Sequence, residues 1–187
     1  MEEVLPVMRR LEQVVFGHTV EGLLGALEGH LDAPLRARLK RVGLDLEQEL
    51  EPAYPREQWH QMVSLAAEAL FPNLSPHQSH WLLGQRFLTA YFSTRMGRAL
   101  QAVLKILGPA RALERTARNL ASGSNFLSVD VERLAGTDYR LMVSHGSDRP
   151  EFIGALCHFG TLTTGVKGLT TVVEAHASPS ATYRMRW

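Results

Sequence analysis

The sequence predicts an α+β fold in one domain, with a helical body over residues 1–122 and a strand-rich part over residues 123–187. Three observations predict it. Apolar residues recur every three or four positions as far as Leu120, the spacing of a single helix face. From Phe126 the apolar period falls to two, as in half-buried strands. Between the two regimes stands Ser122-Gly123-Ser124-Asn125, a loop composition. The C-terminal part then reads strand, strand, helix, strand, strand: a small antiparallel sheet whose strand pairs flank one helix.

In chain order, the segment from Glu2 to Phe16 has Leu5, Met8, Leu11 and Val15 at helical spacing, although Val14-Val15-Phe16 alone would suit a strand; helix is the expectation. From Thr19, Leu23, Leu24, Leu27 and Leu31 make one apolar stripe. Asp32-Ala33-Pro34 restarts a helix that Gly43 ends. Leu44 to Tyr54 lacks a stripe and is expected to be an ordered loop. Pro55 suits a first helical position, where its missing N–H has no partner to lose, and Trp59, Met62, Val63, Ala66 and Leu70 follow as an inward face.

Ser75-Pro76-His77-Gln78 combines an N-cap serine, a proline just inside and a glutamine able to reach back, the elements of a capping box. The helix it starts could run to Leu107, with Gly84 and Gly97 as points of close approach or, at Gly97, of a break. Gly108-Pro109 ends it, and Ala110 to Ala121 forms another helix. Strands are expected over Phe126–Leu134 and Tyr139–Ser144, joined by Ala135-Gly136-Thr137-Asp138. Asp148 is the expected cap of the next helix, with Glu151 closing a second capping box. Phe152, Leu156, Phe159 and Leu162 form its apolar face. Leu169–Ala175 and Ala181–Trp187 complete the sheet.

Composition narrows the function classes. At 187 residues the chain can bury about two-thirds of its unfolded surface, enough for a sizeable core. Twenty Lys and Arg against 19 Asp and Glu leave no field for a polyanion, so no nucleic acid is expected. The run Arg36-Ala37-Arg38-Leu39-Lys40-Arg41 reads as a solvated helix face. One cysteine, Cys157, excludes an internal disulfide and a cysteine zinc cluster, and fits a reducing compartment. No secretory leader or membrane-length apolar run is present, so a cytoplasmic protein without a membrane span is expected.

Motifs that carry chemistry are weak. Ser144, His145, Ser147 and Asp148 have the residue types of a hydrolase triad, but they crowd into five consecutive positions without a nucleophile elbow. His77 and His80 could hold a metal only with a third ligand; an exposed first turn is the expectation. Cys157 beside His158 reads as a small residue on a packed helix. No catalytic residue and no metal is assigned.

Two resemblances add to this reading. The whole chain, with Thr19-Val20-Glu21-Gly22-Leu23, Gly43-Leu44-Asp45, Ala53-Tyr54-Pro55, Arg118-Asn119-Leu120 and the closing Tyr183-Arg184-Met185-Arg186-Trp187, resembles an uncharacterised family of myxobacterial paralogues. The order of elements resembles a superfamily of haem nitric-oxide-binding domains, vinyl-reductase-type ligand sensors and Bet3-like transport subunits. Haem-binding members carry Tyr-x-Ser-x-Arg, and the corresponding stretch here is His145-Gly146-Ser147-Asp148-Arg149, with Ser147 and Arg149 retained and His145 in place of tyrosine. No histidine stands between His80 and His145, and the helix that would carry the axial ligand offers Arg115 and Arg118. The resemblance therefore implies the fold without the haem, and no cofactor is expected.

The expected function is a non-catalytic binding module, a sensor of a small apolar or acidic ligand. Trp81, Phe87, Tyr91 and Phe92 are candidate walls of its site; His145, Ser147 and Arg149 are candidate polar contacts, with Arg149 facing an anion. The alternative is an interaction or scaffold module forming homodimers or docking a protein partner, as the Bet3-like resemblance implies. An enzyme ranks third.

Overall fold

A computed structural model of the chain describes residues 12–146 and 148–187. The helix expected from Glu2 falls mostly on residues 1–11, outside the described residues. Its last residues are not helical: β1 (Val14–Phe16) pairs antiparallel with β2 (Ala53–Pro55), with Val15 opposite Tyr54. The loop expected over Leu44–Tyr54 therefore ends in a strand, and Pro55 is the last strand residue instead of the first helical one. Three-residue strands leave too little sequence for an alternation to show.

Helices α1 (Gly17–Ala26), α2 (Ala33–Arg41) and α3 (Arg56–Leu70) follow the predicted stripes. Asp32 caps α2 by accepting from Leu35 N at 2.9 Å. On α2 Leu35 and Leu39 face inward, while Arg38 pairs with Glu68 and Lys40 with Asp45 and Glu47 outside. Helix α4 (Pro76–Ser93) opens with the predicted capping box between Ser75 and Gln78. It does not continue to Leu107. Thr94 is extended and caps a new helix, α5 (Arg95–Leu107), by accepting from Gly97 N at 3.0 Å. The α5 backbone turns back over the end of α4, and a side chain at Gly97 would collide with the Tyr91 carbonyl. Helix α6 (Pro109–Ala121) starts at Gly108, whose φ of +75° favours glycine.

Strands β3 (Ser128–Ala135), β4 (Asp138–Ser144), β5 (Thr170–Ala177) and β6 (Ser180–Arg186) form one antiparallel sheet in the order β3-β4-β6-β5. Tyr139, Leu141 and Val143 of β4 stand opposite Met185, Tyr183 and Ala181 of β6, and all six are buried. The opposite face carries Arg140 and Arg184 among Glu132, Asp138 and Glu174.

Helix α7 (Pro150–Leu162) packs between this sheet and the helical body. Its burial exceeds the predicted single face: Phe152, Ile153, Gly154, Ala155, Leu156 and Cys157 are consecutive and all buried. Two glycines allow the close packing. A Cβ on Gly84 would stand 2.6 Å from the Phe152 carbonyl oxygen and 2.7 Å from Ala155 Cβ; one on Gly154 would meet the Tyr183 ring at 2.9 Å. Tyr183 Oη also donates to the Pro150 carbonyl at 2.7 Å, satisfying its buried hydroxyl. The capping box expected here does not form. Arg149 occupies the N-cap without a side-chain cap bond, and the Asp148 carboxylate accepts from Ser178 Oγ in the β5–β6 turn instead. No helix of the described residues is long and apolar enough to cross a membrane.

Candidate functional site

The core divides into two clusters. The larger joins α1–α4, α6, α7 and the sheet; the smaller holds Phe92, Leu104 and Ala112 where α4, α5 and α6 meet. Residues of both clusters line a cavity of about 480 Å³, within the range of about 300–1,000 Å³ common for small-molecule sites. Helix α4 contributes Phe87, Leu88, Tyr91 and Phe92; α5 contributes Leu100, Val103 and Leu104; α7 contributes Phe152, Ile153 and Leu156. Trp59 of α3 adds an aromatic wall, its ring edge-on to Phe152 at 6.4 Å. The cavity reaches the surface at His18, Val103 and Arg115, all exposed lining residues.

The wall is not wholly apolar. Thr116 and Asn119 of α6 both line it, and Thr116 Oγ1 and Asn119 Nδ2 are buried without a hydrogen-bond partner among the described residues. Three other polar groups on the wall are committed. Thr19 Oγ1 donates to the Gly123 carbonyl at 3.1 Å, Ser122 Oγ to the Asn119 carbonyl at 2.7 Å, and Ser124 Oγ accepts from Leu127 N at 3.1 Å. Gly160 of α7 leaves room beside Thr116, since a Cβ there would stand 2.9 Å from Thr116 Oγ1.

The expected site residues fall into three groups. Phe87, Tyr91 and Phe92 line the cavity. Trp81 does not: it lies about three turns before Phe92 on α4, and its half-buried ring packs against His158 and Phe159 of α7 at 5.3 and 5.9 Å. At the strand-to-helix corner, the lining residue is Gly146. His145 is exposed, with φ +60° in the left-handed region, and it is not on the wall. Arg149 is half-buried at the start of α7 and also lies off the wall. Ser147 lies outside the described residues. His60 Nε2, 3.0 Å from the Gly146 carbonyl, ties the corner to α3. Burial lowers the His60 pKa against the smaller raising effect of that bond, so a neutral imidazole donates.

Sequence reasoning missed the α6 contribution. Arg115, Thr116 and Asn119 are spaced i, i+1 and i+4, so one edge of the helix carries all three. The signal was present in a helix whose inward residues are otherwise Ala112, Leu113 and Ala117. Only the packing of α6 against α7 shows which polar residues face inward.

Two histidines at the start of α4 have structural partners. His77 Nδ1 lies 2.5 Å from Glu151 Oε1, joining the starts of α4 and α7, and His80 Nδ1 lies 2.7 Å from the Pro76 carbonyl. Burial pushes the Cys157 thiol up to about 12, the behaviour of an unreactive core residue. Among the described residues, no three His, Cys, Asp or Glu side chains are grouped to hold a metal ion.

Comparison with solved structures shows the same fold in H-NOX proteins. Unliganded Fe(II) H-NOX from K. algicida matches with a TM-score of 0.62 at 12% identity, over 91% of this chain and 95% of that one. An oxygen-binding H-NOX domain related to soluble guanylate cyclases matches with a TM-score of 0.57 at 10% identity, over 91% and 93%. An H-NOX protein studied for haem distortion gives 0.58 at 10% identity, over 91% and 94%.

The donor set of the cavity does not fit a haem held from α6. Haem iron takes His, Cys, Met or Tyr as axial ligand, and α6 presents Arg115, Thr116 and Asn119. Among the described lining residues His18 and Tyr91 are of the required types. His18 is an exposed rim residue with its ring 6.0 Å from Phe16, and the half-buried Tyr91 packs against Phe92 at 6.2 Å. No curated protein matches the chain. The model of the family described as "Protein of unknown function (DUF2378)" matches residues 13–187, and the chain therefore belongs to that family.

Proposed function

We propose that this chain is a non-catalytic binding module, a sensor that holds a small organic molecule without haem in the cavity between α4, α5, α6 and α7. The observation that carries the reading is the cavity itself: about 480 Å³, walled by aromatic and aliphatic side chains, and open to the surface at its rim. A filled core would place side chains there, because protein interiors ordinarily pack to crystal-like density. The H-NOX-like fold supports a ligand-holding role, as does the remoter likeness in element order to vinyl-reductase-type sensors.

The wall also supports binding over catalysis. Among its described residues there is no carboxylate and no cysteine. Acid–base chemistry needs a positioned proton donor or acceptor within hydrogen-bond reach of the reacting group. The one histidine among the described lining residues, His18, is exposed at the rim.

Native mass spectrometry of protein purified without denaturation should show a retained small molecule. Calorimetric titration with decan-1-ol should give saturable binding at one site per chain. Leu100→Trp, which fills the cavity from the partly exposed helix α5, should abolish that binding while leaving the circular dichroism spectrum unchanged. Absence of saturable binding by the unaltered protein, or equal binding by the Trp variant, would overturn the reading.

A further inference from the structure

The two unpartnered polar atoms on the cavity wall point to the ligand's chemistry. Burying a hydroxyl or amide without a hydrogen bond is costly, and native interiors rarely tolerate it without a reason. Thr116 is only 6% exposed, and its Oγ1 is one of the two; Asn119 Nδ2, one turn further along α6, is the other. Arg115 precedes Asn119 by four residues, lines the same cavity and makes no ion pair among the described residues. A hydroxyl can donate or accept, an amide nitrogen donates, and a guanidinium only donates. With no carboxylate on the described wall to answer them, these groups call for an acceptor, best an anionic one.

We infer that the cavity takes an amphipathic carboxylic acid, its apolar body among Phe87, Leu100 and Leu156 and its carboxylate at Thr116 and Asn119 beside Arg115. This rests on the binding reading above and deepens it by assigning the head-group contacts to α6. Gly160 has a part in the same arrangement. Any side chain there would press on Thr116 Oγ1 from α7 and take the space in which the head group meets the hydroxyl.

The test compares decanoate with decan-1-ol, two probes with the same apolar body and different heads. Calorimetry should show decanoate binding at least about tenfold tighter, the gain expected of a charge-assisted hydrogen bond. Asn119→Asp, which sets a carboxylate on the wall with little change in shape, should weaken decanoate about tenfold or more and leave decan-1-ol within about twofold. Arg115→Gln should act in the same direction. Thr116→Val should weaken decanoate while raising the thermal midpoint of the ligand-free protein, a pairing that a merely structural threonine would not produce. Equal affinity for both probes, with Asn119→Asp and Arg115→Gln leaving decanoate unaffected, would overturn the head-group assignment while the cavity reading stands. Failure of the unaltered protein to bind either probe would overturn both.

Discussion

Thr116 shows how a single side chain carries an energetic cost that the fold does not answer. Its hydroxyl is buried against Gly160 without a partner among the described residues, and an unmade buried hydrogen bond costs about 1–3 kcal/mol. Valine keeps the branched shape and has a similar helix propensity. Thr116→Val should therefore stabilise the ligand-free protein by about 1 kcal/mol, read as a higher urea midpoint at unchanged slope. A lower midpoint would show that the hydroxyl has a stabilising partner after all. Cys157 behaves in the opposite way: fully buried, with its thiol pushed up to about 12, it should resist alkylation in the native state and react only on unfolding. Neither environment follows from residue type. A threonine and a cysteine on helices read the same in sequence whether they face a cavity, a neighbouring helix or water.

At the scale of elements, the contact between α4 and α7 is the one on which the cavity depends, because both helices supply its walls. Gly84 makes the contact possible. An added methyl would stand 2.6 Å from a backbone carbonyl oxygen and 2.7 Å from Ala155 Cβ, neither of which is the end of a flexible side chain. Overpacking costs about 1–3 kcal/mol, whereas alanine gains about 1 kcal/mol in helix propensity. Gly84→Ala should consequently destabilise the protein, by up to about 2 kcal/mol, and should weaken decan-1-ol binding as α4 and α7 separate. A gain in stability would mean that the helices are not held so closely. The predicted cap at Ser75 and its failed counterpart at Asp148 belong to the same scale. Ser75 and Gln78 need only each other and form their box, but Asp148 has Ser178 within reach and pairs across the fold.

For the molecule as a whole, burial of histidines sets a pH dependence. His60, His80 and His158 are each lowered from the ordinary value of 6.5, with burial the largest cause in every case. A group whose folded pKa is depressed binds fewer protons in the native state than in the unfolded one. Its contribution is complete above the unfolded value and is lost as pH falls from about 6.5 through the folded value. Urea midpoints should accordingly fall between pH 7 and 5, and His60→Gln should flatten the decline. A midpoint independent of pH in this window would contradict the burial of these rings. Asp138 and Asp148, lowered from 3.8 chiefly by hydrogen bonds from Arg184 and Ser178, act with the same sign at more acidic pH. Ligand binding should raise the whole curve by mass action, about 2.7 kcal/mol at a hundred times Kd.

The sequence by itself determined the α+β class, the restart of the helix at α2, the cap of α4, and the alternation that buries Tyr139, Leu141 and Val143. Each depends on residues within a few positions of one another, where period and hydrogen-bond chemistry are local. It also placed Phe87, Tyr91 and Phe92 on one apolar stretch of α4. Only the tertiary structure decided that these three share a cavity while Trp81 packs on α7, because a helix whose apolar residues spread beyond one face does not show which neighbour each of them meets. The same holds for the corner that carries His145 and Arg149, two residues whose side chains lie off the cavity wall while Gly146 borders it. The polar groups that matter, Thr116 and Asn119 with Arg115, lie on α6, where only the approach of α7 distinguishes a buried hydroxyl from an exposed one.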